Sequence, residues 1–228
     1  MLTVKSLGHA CYTFSDGAHT LILDPWLTGN PDAVCGPEDV RVDFILPSHG
    51  HGDHLGDAVV LSKAQGAPIV AVAELCAYCT RHGAAAISMH IGGRREFPFG
   101  SVKLTPAFHG SAVMGDDLIE YTGLACGFLV EIGGRRAYFA GDTGLFGDMA
   151  LIPGRQGLDV AILPIGDNYT MGVEDALRAV EFLRPKVVIP THYHAFEAIR
   201  TDPSGFAEQV RNMGAECRVL APGEETEI

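Results

Sequence analysis

The chain has 228 residues, of which 47% are apolar, and a formal net charge of −12. This acidic balance argues against a nucleic-acid groove, which needs a basic face to displace counterions, and against anionic membrane surfaces. No apolar run reaches the roughly 18 residues that span a bilayer, and the N-terminal MLTVKSLGHACYTF alternates like a strand instead of opening on a basic segment and a long apolar core.

In chain order, residues 1–6, 11–15 and 20–24 alternate or run apolar around turn residues such as Asp16 and Gly17, which predicts an antiparallel meander. LILDP (21–25) predicts a buried strand ending in a carboxylate. Residues 28–40, TGNPDAVCGPEDV, are rich in Pro, Gly and Asp and predict a long surface loop. VDFILP (42–47) is a continuous apolar run stopped by proline, as suits a strand covered on both faces. A helix is predicted over 54–66, with Leu55, Val59 and Ala64 on one side and Gly66 at its end. PIVAVA (68–73) predicts another buried strand, and 74–82 another helix. Strands follow at 94–99, 101–106, 124–132 and 135–140, the last two joined by the hairpin signal Gly133-Gly134. LDVAILP (158–164) and KVVIP (186–190) are further apolar runs. Between them, residues 173–184 are amphipathic, with acids in the first turn and an arginine in the last. Asp202-Pro203 caps a final helix over 203–213 that Gly214 ends, and short strands are expected at 216–220 and 226–228. No linker divides the chain, so 1–228 reads as one domain of layered sheets and outer helices.

Six cysteines, Cys11, Cys35, Cys76, Cys79, Cys126 and Cys217, are scattered through mostly apolar contexts. With no export signal they read as reduced core thiols, and the chain as cytoplasmic. The lone CxxC at Cys76 and Cys79 lacks the second half of a zinc site.

Chemistry concentrates in PSHGHGDHLGD (47–57), which puts His49, His51, Asp53, His54 and Asp57 within nine positions. His49 and His51 leave a strand end two residues apart, so both project to one side and can reach one ion. Asp53 and His54 sit where a helix begins and can turn back toward a second ion, with Gly50 and Gly52 permitting the turn. The alternative, a polar loop with Asp53 as a helix cap, leaves three histidines without a purpose.

FILPSHGH (44–51) is echoed by VVIPTHYH (187–194), and AILPIGDN (161–168) shares the opening. The echo suggests duplicated halves whose strand ends converge on one edge. Three later strand ends offer further ligands: LTPAFHGS (104–111) ends at His109, AYFAGDTG (137–144) at Asp142 and Thr143, and VVIPTHYH at His192 and His194. Each alone is an ordinary turn residue. An Asp-Thr-Gly protease would need a second copy of GDTG, and only one is present.

The order HxHxDH, then His, Asp and His, resembles the metallo-β-lactamase superfamily. More closely, the chain is similar to a branch of small bacterial and archaeal metal-dependent hydrolases related to the L-ascorbate-6-phosphate lactonases. The resemblance rests on GHAC (8–11), LILDPWLTGNP (21–31), SHGHGDHLGD (48–57), MHIGG (89–93), AFHGS (107–111), AGDTGLF (140–146), LPIGDNYTMG (163–172) and VVIPTHYHAF (187–196). It implies an α/β (α+β) fold, a four-layer αββα sandwich with two divalent metal ions at one edge. Zinc is the first expectation, with manganese or iron also suited to the donor set. By motif position, His49, His51 and His109 would hold one metal, Asp53, His54 and His192 the other, and Asp142 would bridge them.

The implied chemistry is attack by a metal-bridged hydroxide on an ester, lactone or phosphoester-type bond of a small molecule, with Asp53 moving a proton to the leaving group. Asp24 is expected either to accept from the far nitrogen of a metal-bound histidine or to cap the turn before Pro25. His9 and His90 are expected at the pocket or in solvated turns, Asp167 and Asn168 at the pocket mouth, and Thr143 orienting Asp142 through its hydroxyl. Asp57 reads as helix surface or as support behind the ligands. His194 is not counted as a ligand, and His19, His82 and Cys35 read as ordinary positions. Only scattered cations, Arg94, Arg95 and Lys103, offer themselves to a phosphate. Two rivals remain at this stage, a catalytically silent metal-binding sensing module and a nuclease of the same superfamily. Relatives that self-associate keep a homo-oligomer in view.

Overall fold

The structure is a computed structural model and describes residues 1–115 and 117–228. The predicted meander forms as β1 (Thr3–Gly8), β2 (Cys11–Ser15) and β3 (Thr20–Leu23). β4 (Phe44–Leu46) pairs parallel to β3 and leads into two short helices, α1 (Gly52–Leu55) and α2 (Ala58–Gln65). Then come β5 (Ile69–Val72), α3 (Ala73–Arg81) and β6 (Ala86–Met89). The second half contains β7 (Arg94–Phe97), β8 (Gly100–Pro106), a small hairpin of β9 (Ala112–Met114) and β10 (Ile119–Tyr121), β11 (Cys126–Ile132) and β12 (Arg135–Phe139). It continues with β13 (Leu158–Pro164), α4 (Val173–Leu183), β14 (Pro185–Thr191), α5 (Pro203–Asn212), β15 (Glu216–Cys217) and β16 (Glu225–Glu227).

Two seven-stranded sheets result, with strand orders β16-β1-β2-β3-β4-β5-β6 and β15-β14-β13-β12-β11-β8-β7. Each runs from antiparallel strands into parallel ones, at β3–β4 in the first and β12–β13 in the second. The two-residue period of a strand sorts the second sheet's side chains. Phe128, Val130, Phe139, Val160, Ile162 and Ile189 belong to the core shared with the first sheet. Their neighbours Leu129, Tyr138, Ala161, Leu163 and Val188 pack instead with α4 and α5. Both faces of β13 and β14 are therefore covered, which is why they read as unbroken apolar runs. α4 contributes Ala176, Ala179, Val180 and Leu183 at helical spacing. α2 and α3 cover the first sheet through Leu61, Leu75, Cys76 and Cys79. The layers are αββα, and each fully buried Phe or Leu contributes about 1.5–3 kcal/mol.

The topology refines the echo. FILP in β4 and AILP in β13 are each the first parallel strand after an antiparallel run, whereas VVIP in β14 lies one strand further on. The residues following β3 and β12 bring a carboxylate to the same edge, Asp24 and Asp142.

Several predicted elements differ. The helix expected over 54–66 breaks at Gly56, whose φ is +40°. A Cβ there would lie 2.5 Å from the Pro25 carbonyl oxygen, so the chain crosses the Pro25-Trp26 backbone at a distance only glycine allows. The strand at 94–99 stops at Phe97, 124–132 starts at Cys126, 216–220 shrinks to Glu216–Cys217, and the last strand lies at Glu225–Glu227. β6 and the β9–β10 hairpin had no sequence signal: β6 is half-exposed, and the hairpin leaves Met114, Ile119 and Tyr121 facing solvent. The final helix is capped as expected, Asp202 accepting from the Ser204 and Gly205 amides.

Candidate metal centre

Six chain segments meet at one edge of the sandwich. The exit from β4 carries His49 and His51, and α1 carries Asp53 and His54. The segments after β8, β12 and β14 supply His109, Asp142 and His192, and the β1–β2 turn supplies His9. Two of these segments, and the exit from β3 behind them, turn sharply through left-handed non-glycine residues, with φ of 53° at His9, 57° at His192 and 43° at Asp24.

Two clusters form. One ligand atom each from His49, His51 and His109 lie within 4.8 Å of one another, as do those of His9, Asp53, His54 and His192. His49 Nε2 and His51 Nδ1 are 2.9 Å apart. Asp142 Oδ2 reaches both clusters, at 3.3 Å from His54 Nε2, 3.2 Å from His192 Nε2 and 3.6 Å from His109 Nε2. Asp53 Oδ2 lies 3.4 Å from His9 Nε2 and 3.8 Å from His192 Nε2.

Asp24 organises the rings behind this surface. It accepts from the Ser48 amide (2.6 Å) and the Ser48 hydroxyl (2.8 Å), and its Oδ2 lies 2.6 Å from His54 Nδ1. Ser48 Oγ lies 2.9 Å from His49 Nδ1. With the Ser48 proton directed at the carboxylate, His49 and His54 both donate through Nδ1, and their Nε2 atoms face inward. Of the two expectations for Asp24, the contact with a histidine's far nitrogen is the one formed. Ser48 escaped the sequence reading. The signal available was the Ser or Thr shared by the echoed motifs, since Thr191 likewise donates, to the His9 carbonyl at 2.8 Å.

Burial depresses His49 well below the ordinary histidine value, and it lowers His51 and His109 as well. This cluster is a set of neutral lone-pair donors. Burial lowers His9 to about 4, partly opposed by Asp53. At His54 burial is outweighed by Asp142 and Asp24, which hold its proton far above the usual range. His192 is likewise pushed up to about 9, burial being overcome by Asp142 and Asp53. Burial raises Asp53 and Asp142, but the facing histidines outweigh it and hold both carboxyls ionised. Asp24 is raised by burial, with His54 opposing. The carboxylates thus draw positive charge into the centre.

Both ring nitrogens of His9 and His192, His54 Nε2 and Asp142 Oδ1 are buried with no hydrogen-bond partner among the described residues. Unpaired buried donors and acceptors of this kind are costly unless a further group engages them. Imidazole lone pairs and carboxylate oxygens in this arrangement fit divalent cations.

Other expected residues stand elsewhere. Asp57 is not helix surface: it is buried and accepts from the Leu27 amide (3.0 Å), the Thr28 amide (2.8 Å) and the Thr28 hydroxyl (2.8 Å), anchoring the loop before it. The Thr143 hydroxyl does not orient Asp142. It accepts from the Phe108 amide at 2.9 Å and donates to the Gly144 carbonyl at 2.7 Å, tying the His109 segment to the Asp142 segment. Asp167 and Asn168 are exposed left-handed turn residues outside the cavity lining, and the neighbouring Tyr169 lines it instead. His90 is exposed and lines a separate depression with Glu74 and Tyr121. His194 pairs with Asp32 at 2.9 Å. The six cysteines are free thiols, five of them buried.

The centre opens into a cavity of about 630 Å³. Trp26 and Phe196 line it and stack with ring centroids 5.6 Å apart. Sequence reasoning missed both as pocket residues, although Trp26 is the only tryptophan. Among the described residues, no helix is long and apolar enough to cross a membrane.

Comparison with known proteins agrees with this architecture. The Beta-lactamase superfamily domain matches residues 19–193. A metal-dependent hydrolase of Pelotomaculum thermopropionicum is 50% identical over 229 residues, covering 100% of both chains. One from Thermus thermophilus is 48% identical over 224 residues, covering 98% of each. The solved structure of Igni18, a metallo hydrolase from the hyperthermophilic archaeon Ignicoccus hospitalis, superposes with a TM-score of 0.90 at 35% identity, covering 100% of this chain and 99% of that one. By fold, site order and kinship, the chain belongs to the metallo-β-lactamase superfamily, among its metal-dependent hydrolases.

Proposed function

We propose that the chain hydrolyses an ester, lactone or phosphoester-type bond of a small molecule at a two-cation centre. The observation that carries this reading is the position of Asp142 Oδ2, 3.6 Å from a nitrogen of the first cluster and 3.2 Å from one of the second. A carboxylate there can face two cations at once. His49, His51 and His109 would hold one cation. Asp53, His54 and His192, joined by His9, would hold the other. When bound, the cations supply a water of near-neutral pKa and Lewis acidity toward the scissile oxygen.

The remaining work belongs to side chains. Asp53 is the cluster carboxylate most open to the cavity, with 24% of its side chain exposed. It is placed to take a proton and pass it to the leaving group. Asp24 and Ser48 hold the His49 and His54 rings so that no reorganisation is needed on binding. The aromatic wall keeps bulk water from one side of the reaction centre. Zinc leads the assignment, and manganese or iron suits the same donors. The same reading makes residues 1–228 one cytoplasmic enzyme domain. The net charge of −12 disfavours the nuclease alternative.

The test is elemental analysis of protein purified without added metal, then a metal-matched panel of esters, lactones, phosphodiesters and thioesters. Roughly two cations per chain and metal-dependent turnover are expected. A panel with no metal-dependent turnover would favour the sensing module and overturn the assignment.

A further inference from the structure

The cavity is chemically lopsided. Apart from the cluster residues, its wall is made by Trp26, Tyr169 and Phe196 with the backbone of Gly52. Trp26 and Phe196 stack at an interplanar angle of 16°. His9 stands edge-on to both, at 5.2 Å and 88° from Trp26 and 5.5 Å and 77° from Phe196. The aromatic wall therefore adjoins the second cluster directly.

It is also held in place. The Trp26 amide donates to the Asp24 carbonyl at 2.8 Å, its carbonyl accepts from Asn30 Nδ2 at 2.9 Å, and Asp57 grips the next two amides. Asp24 thus anchors both the metal-side rings and the start of the aromatic segment. At the mouth, Phe196 and Tyr169 remain 38% and 57% exposed, apolar surface that a ligand would cover.

Positive charge is what the wall lacks. Of the 16 Lys and Arg in the chain, none lines the cavity among the described residues. Arg200, four positions beyond Phe196, pairs with Glu197 at 3.2 Å. Arg94, a sequence-level candidate for phosphate, pairs with Glu96 and Glu131. A phosphate or carboxylate remote from the scissile bond would lose its hydration with no guanidinium or ammonium to receive it, and it would sit near Asp53.

We propose that the cavity takes an uncharged ester or lactone whose non-reacting part is an aryl or compact alkyl group seated on the Trp26–Phe196 face, and that it selects against substrates carrying a phosphate or carboxylate there. The proposal rests on the hydrolytic reading above. An apolar group pressed on a preformed aromatic wall gains by burial, and the cavity volume suits a small organic molecule.

Trp26 makes the seat observable without turnover, because its emission is the chain's only tryptophan signal. The metal-loaded protein is titrated with phenylacetamide, an uncharged aryl amide, and a saturable change in emission is expected. Phe196→Ala keeps the reporter and should weaken that binding about tenfold, with Phe196→Leu restoring part of it. In parallel, kcat/KM is compared for dihydrocoumarin and for 6-phosphogluconolactone, with a preference of at least about 100-fold for the uncharged aryl lactone expected. Equal or better turnover of the phosphorylated lactone overturns the proposal and leaves the hydrolase standing. So does an emission that phenylacetamide never moves while lactones are hydrolysed. Amide binding that Phe196→Ala weakens, with neither these lactones nor any member of the wider panel turned over, keeps the seat and removes the hydrolytic reading.

Discussion

Asp24 and His54 meet at 2.6 Å with both side chains wholly shielded from solvent. The pair links the exit of β3 to α1, and Asp24 shares Ser48 with His49, so one carboxylate fixes a ring in each cluster. Asp24→Asn removes the charge and makes one end of the group a donor, which cannot satisfy Ser48 and His54 together. Cation affinity should fall about 10–100-fold, read by calorimetric titration of the metal-free protein.

Asp142→Ala removes the oxygen between the clusters. Cation content per chain should drop, and turnover on any substrate from the panel should fall by orders of magnitude. Elemental analysis alongside kinetics checks both, and full metal with full activity would falsify the two-cation assignment.

Gly50 lies where an added Cβ would collide with Thr122 Oγ1 and come within 3.1 Å of the Ala112 carbonyl carbon. Gly50→Ala should therefore displace the His49–His51 segment and lower stability by about 1–3 kcal/mol. Denaturant unfolding measures it. Thr122→Ala in the same chain should recover part of the loss.

Chelation should lower the melting temperature, because a cation that binds only the folded chain stabilises it by about 2.7 kcal/mol at a hundred times its Kd. Readdition of zinc or manganese should restore the melt, and an unchanged melt on complete metal removal would count against a resident cation.

Asp159 gives the pH dependence. Partial burial raises its carboxyl, but Lys186 and the Arg136 amide outweigh burial and leave it below the ordinary value. A depressed folded-state pKa adds stability above the unfolded value of about 3.9, and that stability is lost as pH falls through the folded value. Asp159→Asn should therefore melt below the parent at neutral pH by a gap worth about 0.2–1 kcal/mol. The gap should close below about pH 4 in paired melting curves.

The parts of the site legible in the sequence were those encoded locally. HxHxDH, with its flanking glycines and the apolar run before it, announces a strand end loaded with ligands, and His109, Asp142 and His192 each follow a strand immediately. The parts that were not legible depend on contacts across the fold. Asp57 looks like a helix residue until its partners 29 and 30 positions away are seen. Trp26 and Phe196 are 170 positions apart, and nothing in either motif says they stack. The turn after β13 exposes Asp167 and Asn168 and sends Tyr169 to the cavity, a choice of side that residue type alone does not make. β6 and β9 lack the alternating burial that marks a strand, and β10 alternates only between exposed and half-buried over three residues.

The left-handed backbone at His9 and His192 has a consequence for descent. Each such non-glycine residue is held at a cost of about 1–2 kcal/mol, which glycine would relieve. Drift toward stability alone would erase His9 and His192, whose ring nitrogens are buried without partners, before Asp24, whose carboxylate holds Ser48 and His54. A relative with glycine at both histidine positions should be a stable remnant of an enzyme, recognisable from its backbone before any ligand is counted.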